Sequence, residues 1–258
     1  MSFRISIAQQ PLAWHDAGAN RAHFEAVLKP LAGTTDLVVL PEMFTSGFTM
    51  NPEKFAEAAD GETRAWLLRQ AAALDAAVGG SVAVSDHGRH FNRFMLATPH
   101  GEVHQYDKRH LFRMGGEHHH YNAGGHALIV EWRGARLCPL VCYDLRFPVW
   151  SRRRPELEYD IALFVASWPA ARRYAWSTLL RARAMENQAF VVGVNRVGED
   201  GGGNSYVGDS AVLDFMGQPV VELTDHAQIV TVPIDLEALR AWRDKFPAHL
   251  DADAFSLE

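Results

Sequence analysis

Hydrophobic and polar positions repeat along this chain with two periods, and the switches between them outline its elements. Phe3, Ile5 and Ile7 recur every second residue, as in a strand with one apolar face. A helical period follows and predicts a helix over residues 20–31, stopped near Pro30 and Gly33. Residues 36–40, Asp-Leu-Val-Val-Leu, form a short apolar run suited to a strand buried on both faces. Residues 63–78, rich in Ala and Leu, predict a helix with Gly79 and Gly80 as its stop, and residues 81–84 the next strand. Residues 91–98 and 103–106 flank Pro-His-Gly-Glu, residues 127–132 and 135–141 flank Arg133-Gly134, and both pairs predict hairpins. Beyond them the pattern predicts a strand at 160–166 and a helix at 175–187, with Trp176, Leu179 and Leu180 on one stripe. Strands at 189–195, 211–214, 219–223 and 229–232 and a closing helix at 236–242 complete it.

This order predicts one α/β domain over residues 1–258, its many strands in mixed pairing within two sheets between helix layers. Internal repeats and linkers are absent, and Gly201-Gly202-Gly203 reads as a surface turn because no helix opens after it.

Composition narrows the class. A hydrophobic share of 48% and a formal charge of −6 suit a globular protein and lack the basic footprint of a nucleic-acid binder. Arg152, Arg153 and Arg154 are the one basic run, expected at a solvated helix end. No apolar stretch approaches the ~18 residues that span a bilayer, and the N-terminus lacks the apolar core of a signal peptide, so the expectation is a cytoplasmic protein without a membrane partner. The two cysteines, Cys138 and Cys142, fall four steps apart on one strand, about 13 Å, too far for a disulfide, so both are expected as thiols.

Three segments concentrate chemistry, each at a strand end. Cys142 closes an apolar strand and precedes Tyr143-Asp144-Leu145-Arg146-Phe147-Pro148, a turn leading into a segment with helix potential. A nucleophile on such a corner is exposed beside the next backbone N–H, and a helix N-terminus there favours a thiolate. A buried cysteine that merely packs fits the same local context. Glu42 follows the 36–40 strand through Pro41, and Lys108 follows Tyr106-Asp107. Together they supply a nucleophile, a proton carrier and a cation for thiolate and oxyanion, the groups that amide hydrolysis requires.

Pro41-Glu42-Met43-Phe44, the segment from Asp107 to Phe112 and the segment from Cys142 to Pro148 resemble, in order, the three signature segments of the nitrilase superfamily of carbon–nitrogen hydrolases. The resemblance covers nearly the whole chain. It implies a four-layer αββα sandwich, a Glu42–Lys108–Cys142 triad, a homodimer or higher homo-oligomer and no cofactor or metal. A second family glutamate matches Glu117, although three histidines follow it and Ala-Gly stands where Pro-Gly is frequent. Cys142-Tyr143-Asp144-Leu145-Arg146-Phe147-Pro148, Glu186-Asn187-Gln188 and Asn195-Arg196-Val197-Gly198 look most like the omega-amidases, which deamidate 2-oxoglutaramate or 2-oxosuccinamate through a thioester. On this reading Lys108 lowers the Cys142 pKa and, with the Tyr143 N–H, holds the oxyanion, Phe44 and Trp168 wall the pocket, and Arg146 either anchors a substrate carboxylate or pairs with Asp144 or a glutamate. Nitrilase and carbamoylase activities use the same groups and stay open.

Two other classes compete. His104, His110, His118, His119, His120 and His126 are dense enough to raise a metalloenzyme, but adjacent histidines on a strand point to opposite faces and no His-Glu-x-x-His motif occurs. A binding protein that has lost catalysis would not need Glu42, Lys108 and Cys142 together.

Overall fold

The computed structural model describes residues 2–256; Met1, Leu257 and Glu258 of the expected 1–258 domain lie outside the described residues. The chain opens with β1 (Phe3–Gln9), α1 (Ala17–Leu28), β2 (Leu37–Val39), α2 (Pro52–Phe55), β3 (Glu57–Ala58) and α3 (Glu62–Leu74). Next come β4 (Ala77–Asp86), β5 (Arg89–Ala97), β6 (Val103–Asp107), β7 (Val130–Trp132), β8 (Ala135–Val141), α4 (Pro148–Ser151) and β9 (Ile161–Ala166). It ends with α5 (Arg173–Asn187), β10 (Phe190–Asn195), β11 (Val197–Glu199), β12 (Ser205–Val207), β13 (Ala211–Leu213), β14 (Pro219–Glu222), β15 (Gln228–Ile234) and α6 (Leu236–Lys245). One large sheet has the order β15-β1-β2-β4-β5-β6, with β3 paired to β4, and the other β14-β13-β10-β9-β8-β7. β11 and β12 form a separate hairpin.

Period-two alternation builds the layers. Leu37 and Val39 of β2 face the second sheet and share its core with Leu137, Leu140 and Leu163. Val38 and Leu40 face the other way, onto Phe24 and Leu28 of α1 and Trp66, Leu67 and Leu74 of α3. On the far side Trp176, Leu180 and Ala184 of α5 join the second sheet. The result is the four-layer αββα sandwich of two mixed sheets.

Strand direction gathers the three chemical segments. β2 runs parallel to β1 and β4, and two antiparallel steps through β5 return β6 to that direction. In the facing sheet β8, β9 and β10 are parallel. Glu42, Lys108 and Cys142 therefore emerge from the carboxyl ends of β2, β6 and β8, where open α/β sheets hold their sites.

Two expectations are corrected. α3 stops at Leu74 because Asp75 turns left-handed at φ 50°, and Ala77–Gly80 belong to β4. A Cβ on Gly79 would lie 2.7 Å from Leu96 and one on Gly80 2.8 Å from Leu40, so these glycines serve close packing inside a strand rather than stopping a helix. The Arg152–Arg154 run is not a solvated helix end: Arg153 is buried and pairs with Glu158 at 3.0 Å. Arg133-Gly134 forms the expected two-residue hairpin turn, with φ of 46° and 80° at its two positions. Among the described residues no helix is long and apolar enough to cross a membrane.

Candidate active site

At the end of β8 the backbone turns sharply on Cys142, whose φ is 46°, a left-handed conformation uncommon for any residue but glycine. The Asp144 carboxylate holds this corner from inside. Its Oδ2 accepts the Val141 N–H at 3.0 Å and the Tyr106 hydroxyl at 2.8 Å, and its Oδ1 accepts the His110 N–H at 2.9 Å. The His110 ring Nδ1 meets the same oxygen at 2.8 Å. One buried side chain thus ties the Cys142 corner to the strand end that carries Lys108.

Lys108 is wholly buried, and so are Glu42 and Glu117. Its Nζ donates to Glu42 Oε1 at 2.8 Å and to Glu117 Oε2 and Oε1 at 2.9 and 3.1 Å. Glu42 Oε2 accepts the Ser167 N–H at 2.8 Å, and Glu117 Oε2 accepts the Phe112 N–H at 2.5 Å. Asn92 Nδ2 bridges the two carboxylates, donating at 2.8 Å to Glu42 and 3.0 Å to Glu117. The loop bearing Glu117 is fastened where the Gly124 N–H donates to Lys108 O at 2.9 Å. A Cβ on Gly124 would sit 2.1 Å from the Asp107 carbonyl oxygen, so only glycine fits.

Electrostatics follow from one cation against two carboxylates in a dry interior. Burial alone would lower the Lys108 pKa, but Glu117 and Glu42 outweigh it and hold the ammonium well above its usual value. Burial pushes the Glu117 carboxyl up, with Lys108 opposing and Glu42 adding. Burial, followed by the Glu42 charge, raises the Cys142 thiol well above its ordinary value, and the opposing pull of Lys108 is smaller. Lys108 thus pulls the Cys142 pKa down as expected, but burial and the Glu42 charge outweigh it and the net direction is upward, toward a protonated resting sulfur. The expected helix N-terminus is lacking too, because Cys142–Arg146 is a single 3₁₀ segment and α4 is one turn long.

Cys142 lies at the floor of a cavity of about 400 Å³, whose walls include Phe48, Tyr143, Arg146, Trp168 and Arg172. Phe44 is not among them. Its ring packs at 5.6 Å against Phe24 and 5.7 Å against Trp66, on the helix side of the sheet, and Phe48 takes the wall position. Arg146 reaches the cavity and lies over the Trp168 ring at 4.9 Å, while Asp144 is engaged by His110 instead. The His118 and His119 rings meet each other, tilted by 40° with centroids 3.8 Å apart. Among the described residues no group of three or more His, Cys, Asp or Glu side chains is arranged to hold a metal. Cys138 is a buried free thiol in the core, pushed up to about 12 by burial. Asn92, Ser167, Phe48 and Arg172 are site residues that the motifs did not reveal; for Asn92 the available signal was an amide in the middle of an apolar strand.

Comparison with known proteins agrees with this geometry. Residues 4–244 match the carbon–nitrogen hydrolase family model. The chain is 51% identical to omega-amidase YafV of Yersinia enterocolitica across 99% of either protein. It is 31% identical to the 2-oxoglutaramate amidase of Bacillus subtilis, across 97% of this chain and 98% of that one. A crystal structure of a CN-hydrolase superfamily protein from Xanthomonas campestris, with an arsenic adduct in its active site, superposes with a TM-score of 0.98 at 53% identity over the full length of both. The chain belongs to the carbon–nitrogen hydrolase family and is a hydrolase of carbon–nitrogen bonds other than peptide bonds.

Proposed function

We propose that this protein is an omega-amidase that releases ammonia from the terminal amide of a small 2-oxo acid such as 2-oxoglutaramate. The meeting of Cys142, Glu42 and Lys108 beneath a cavity that also presents arginine carries the reading, and the names of the relatives from Y. enterocolitica and B. subtilis support it. Glu42 takes the Cys142 proton as sulfur attacks the amide carbon. Lys108 Nζ and the Tyr143 N–H receive the oxyanion. Collapse breaks the C–N bond while Glu42 protonates the leaving nitrogen, so ammonia departs and a thioester remains. Glu42 then deprotonates a water that attacks the thioester, and the proton returns to sulfur as the acid leaves. Glu117 holds Lys108 in place throughout. Trp168 forms one wall, and Arg146 binds the carboxylate end of the substrate. The test is ammonia release from 2-oxoglutaramate, glutamine, a simple nitrile and an N-carbamoyl amino acid. The expected kcat/KM for 2-oxoglutaramate exceeds each of the others by about 10²-fold or more, and preference for the nitrile would overturn the assignment.

The same proposal extends to assembly and place. Residues 1–258 act as one domain, supported by a core shared between both sheets. A homodimer forms through the α5 side, where Tyr174, Met185 and Phe246 are large apolar residues left exposed. Light scattering on a sizing column is expected to give twice the 28.7 kDa chain mass or a higher multiple, and a monomer at micromolar concentration would exclude it. The two free thiols suit the cytoplasm, which cell fractionation checks.

A further inference from the structure

We propose that Arg172 is the second half of a two-arginine clamp, closing with Arg146 on the carboxylate of the substrate and so making the enzyme selective for anionic amides. This rests on the amidase reading and goes beyond it by assigning the residue that enforces the substrate's charge. Both guanidinium groups line the Cys142 cavity, but they come from different elements. Arg146 ends the turn after the cysteine, and Arg172 ends a 3₁₀ turn, Ala170–Arg172, that leads into α5.

Their surroundings differ from those of arginines that the fold pairs with carboxylates. Arg173 pairs with Asp209 at 2.7 Å, Arg183 with Glu186 at 3.0 Å and Arg243 with Asp160 at 3.0 Å. Arg146 and Arg172 make no ion pair with any described residue. They rest instead on aromatic faces, Arg146 over Trp168 at 4.9 Å and Arg172 over Phe112 at 5.3 Å. An aromatic face orients a guanidinium without consuming its N–H donors, which stay free for an incoming anion. Asp200 is the acidic residue on the cavity wall, and its carboxylate is taken up within its own hairpin. It accepts from the Gly202 and Asn204 N–H groups at 2.9 and 3.0 Å and from the Tyr206 hydroxyl at 2.7 Å.

The two arginines are also mechanically joined. The Trp168 indole N–H donates to the Arg172 carbonyl at 2.9 Å, so the ring that seats Arg146 is pinned to the backbone of Arg172. Trp168 is held in turn through its own N–H on Asn195 Oδ1 at 2.8 Å. A carboxylate gripped by two forks is fixed in direction as well as place. The distance from the clamp to Cys142 then selects the length of the amide, and a neutral amide of equal length lacks the grip.

The experiment compares the intact protein with Arg172→Met and Arg172→Lys, on 2-oxoglutaramate and on pentanamide, and measures binding of 2-oxoglutarate to each by calorimetry. In Arg172→Met the kcat/KM preference for 2-oxoglutaramate over pentanamide is expected to fall by about 10–100-fold, through KM rather than kcat, with 2-oxoglutarate binding weakened to match. Arg172→Lys restores part of both, because the charge remains and the fork does not. An unchanged preference, or equal losses on the two amides, would overturn the clamp. So would an intact protein that hydrolyses pentanamide but does not bind 2-oxoglutarate. If the intact protein hydrolyses neither amide, the amidase reading fails, and the binding measurement still decides whether Arg172 holds a carboxylate.

Discussion

Cys142→Ala is expected to lose amidase activity by a factor on the order of 10⁵–10⁶, the scale on which removal of a nucleophile leaves only binding and oxyanion contacts. The fold should survive, because the change deletes one sulfur from a residue at the cavity floor and leaves the Asp144 contacts that hold the corner. Glu42→Gln separates two accounts of how that sulfur becomes a nucleophile. If Lys108 alone kept a standing thiolate, loss of the Glu42 charge would still slow the later proton transfers, but the residual activity would not climb with pH through a rising thiolate fraction. The raised Cys142 thiol argues for transfer to Glu42 during attack, so Glu42→Gln is expected to reduce kcat by about 10²–10⁴-fold at pH 7. The residual activity should climb with pH. Burial, the largest cause of the raised pKa, persists in the variant, so the thiol is protonated at neutral pH and its thiolate fraction grows about tenfold per unit below its pKa. Ammonia release from pH 7 to 9, with thermal melting as the fold control, checks this; a Glu42→Gln protein at full kcat would remove Glu42 as the base.

The parts legible in the sequence were those that depend on one strand at a time. Glu42, Lys108 and Cys142 each follow an apolar run directly, and a strand end is visible from hydrophobic period alone. What depends on neighbours was not visible. Asn92 bridges Glu42 and Glu117 because β5 lies beside β6 and near β2, an order written nowhere in the local pattern. Ser167 reaches Glu42 from the facing sheet across 125 positions of sequence. Proximity to Glu42 places Phe44 at the pocket in the sequence, but Met43 at φ 42° and Gly47 at φ 73° reroute the segment, turning Phe44 to the helix layer and Phe48 to the cavity. Residues 77–80 read as the end of a helix because Ala and Gly are ambiguous by composition; the tight approach of Leu96 and Leu40 decides for a strand.

Lys108→Met is expected to harm stability and chemistry together, and the two losses can be separated. The chemical loss is at least the 10²–10³-fold typical of one missing oxyanion donor. The structural loss arises because Glu42 and Glu117 share this cation in full burial. Stripping one partner from a buried ion group costs about 3–5 kcal/mol, a large share of a stability of ~5–15 kcal/mol. Two carboxylates left side by side cannot both stay ionised, so one takes up a proton. Glu117 is already raised in the intact protein, and without Lys108 only the hydrogen bonds from the Phe112 N–H and Asn92 oppose the burial and the Glu42 charge that raise it. A carboxyl whose folded pKa lies above its unfolded value of about 4.3 binds protons preferentially in the folded state, so its contribution is complete below that value and is lost as pH rises through the folded pKa. Lys108→Met should therefore unfold at lower urea concentration at pH 8 than at pH 5.5, with a steeper dependence than the intact protein. Adding Glu117→Gln removes one of the two competing charges and should recover part of the stability and flatten that slope, while activity stays at the floor because the Nζ donor is still missing. Were the double variant to regain activity along with stability, Lys108 would be a packing cation and the oxyanion role assigned to it would fall.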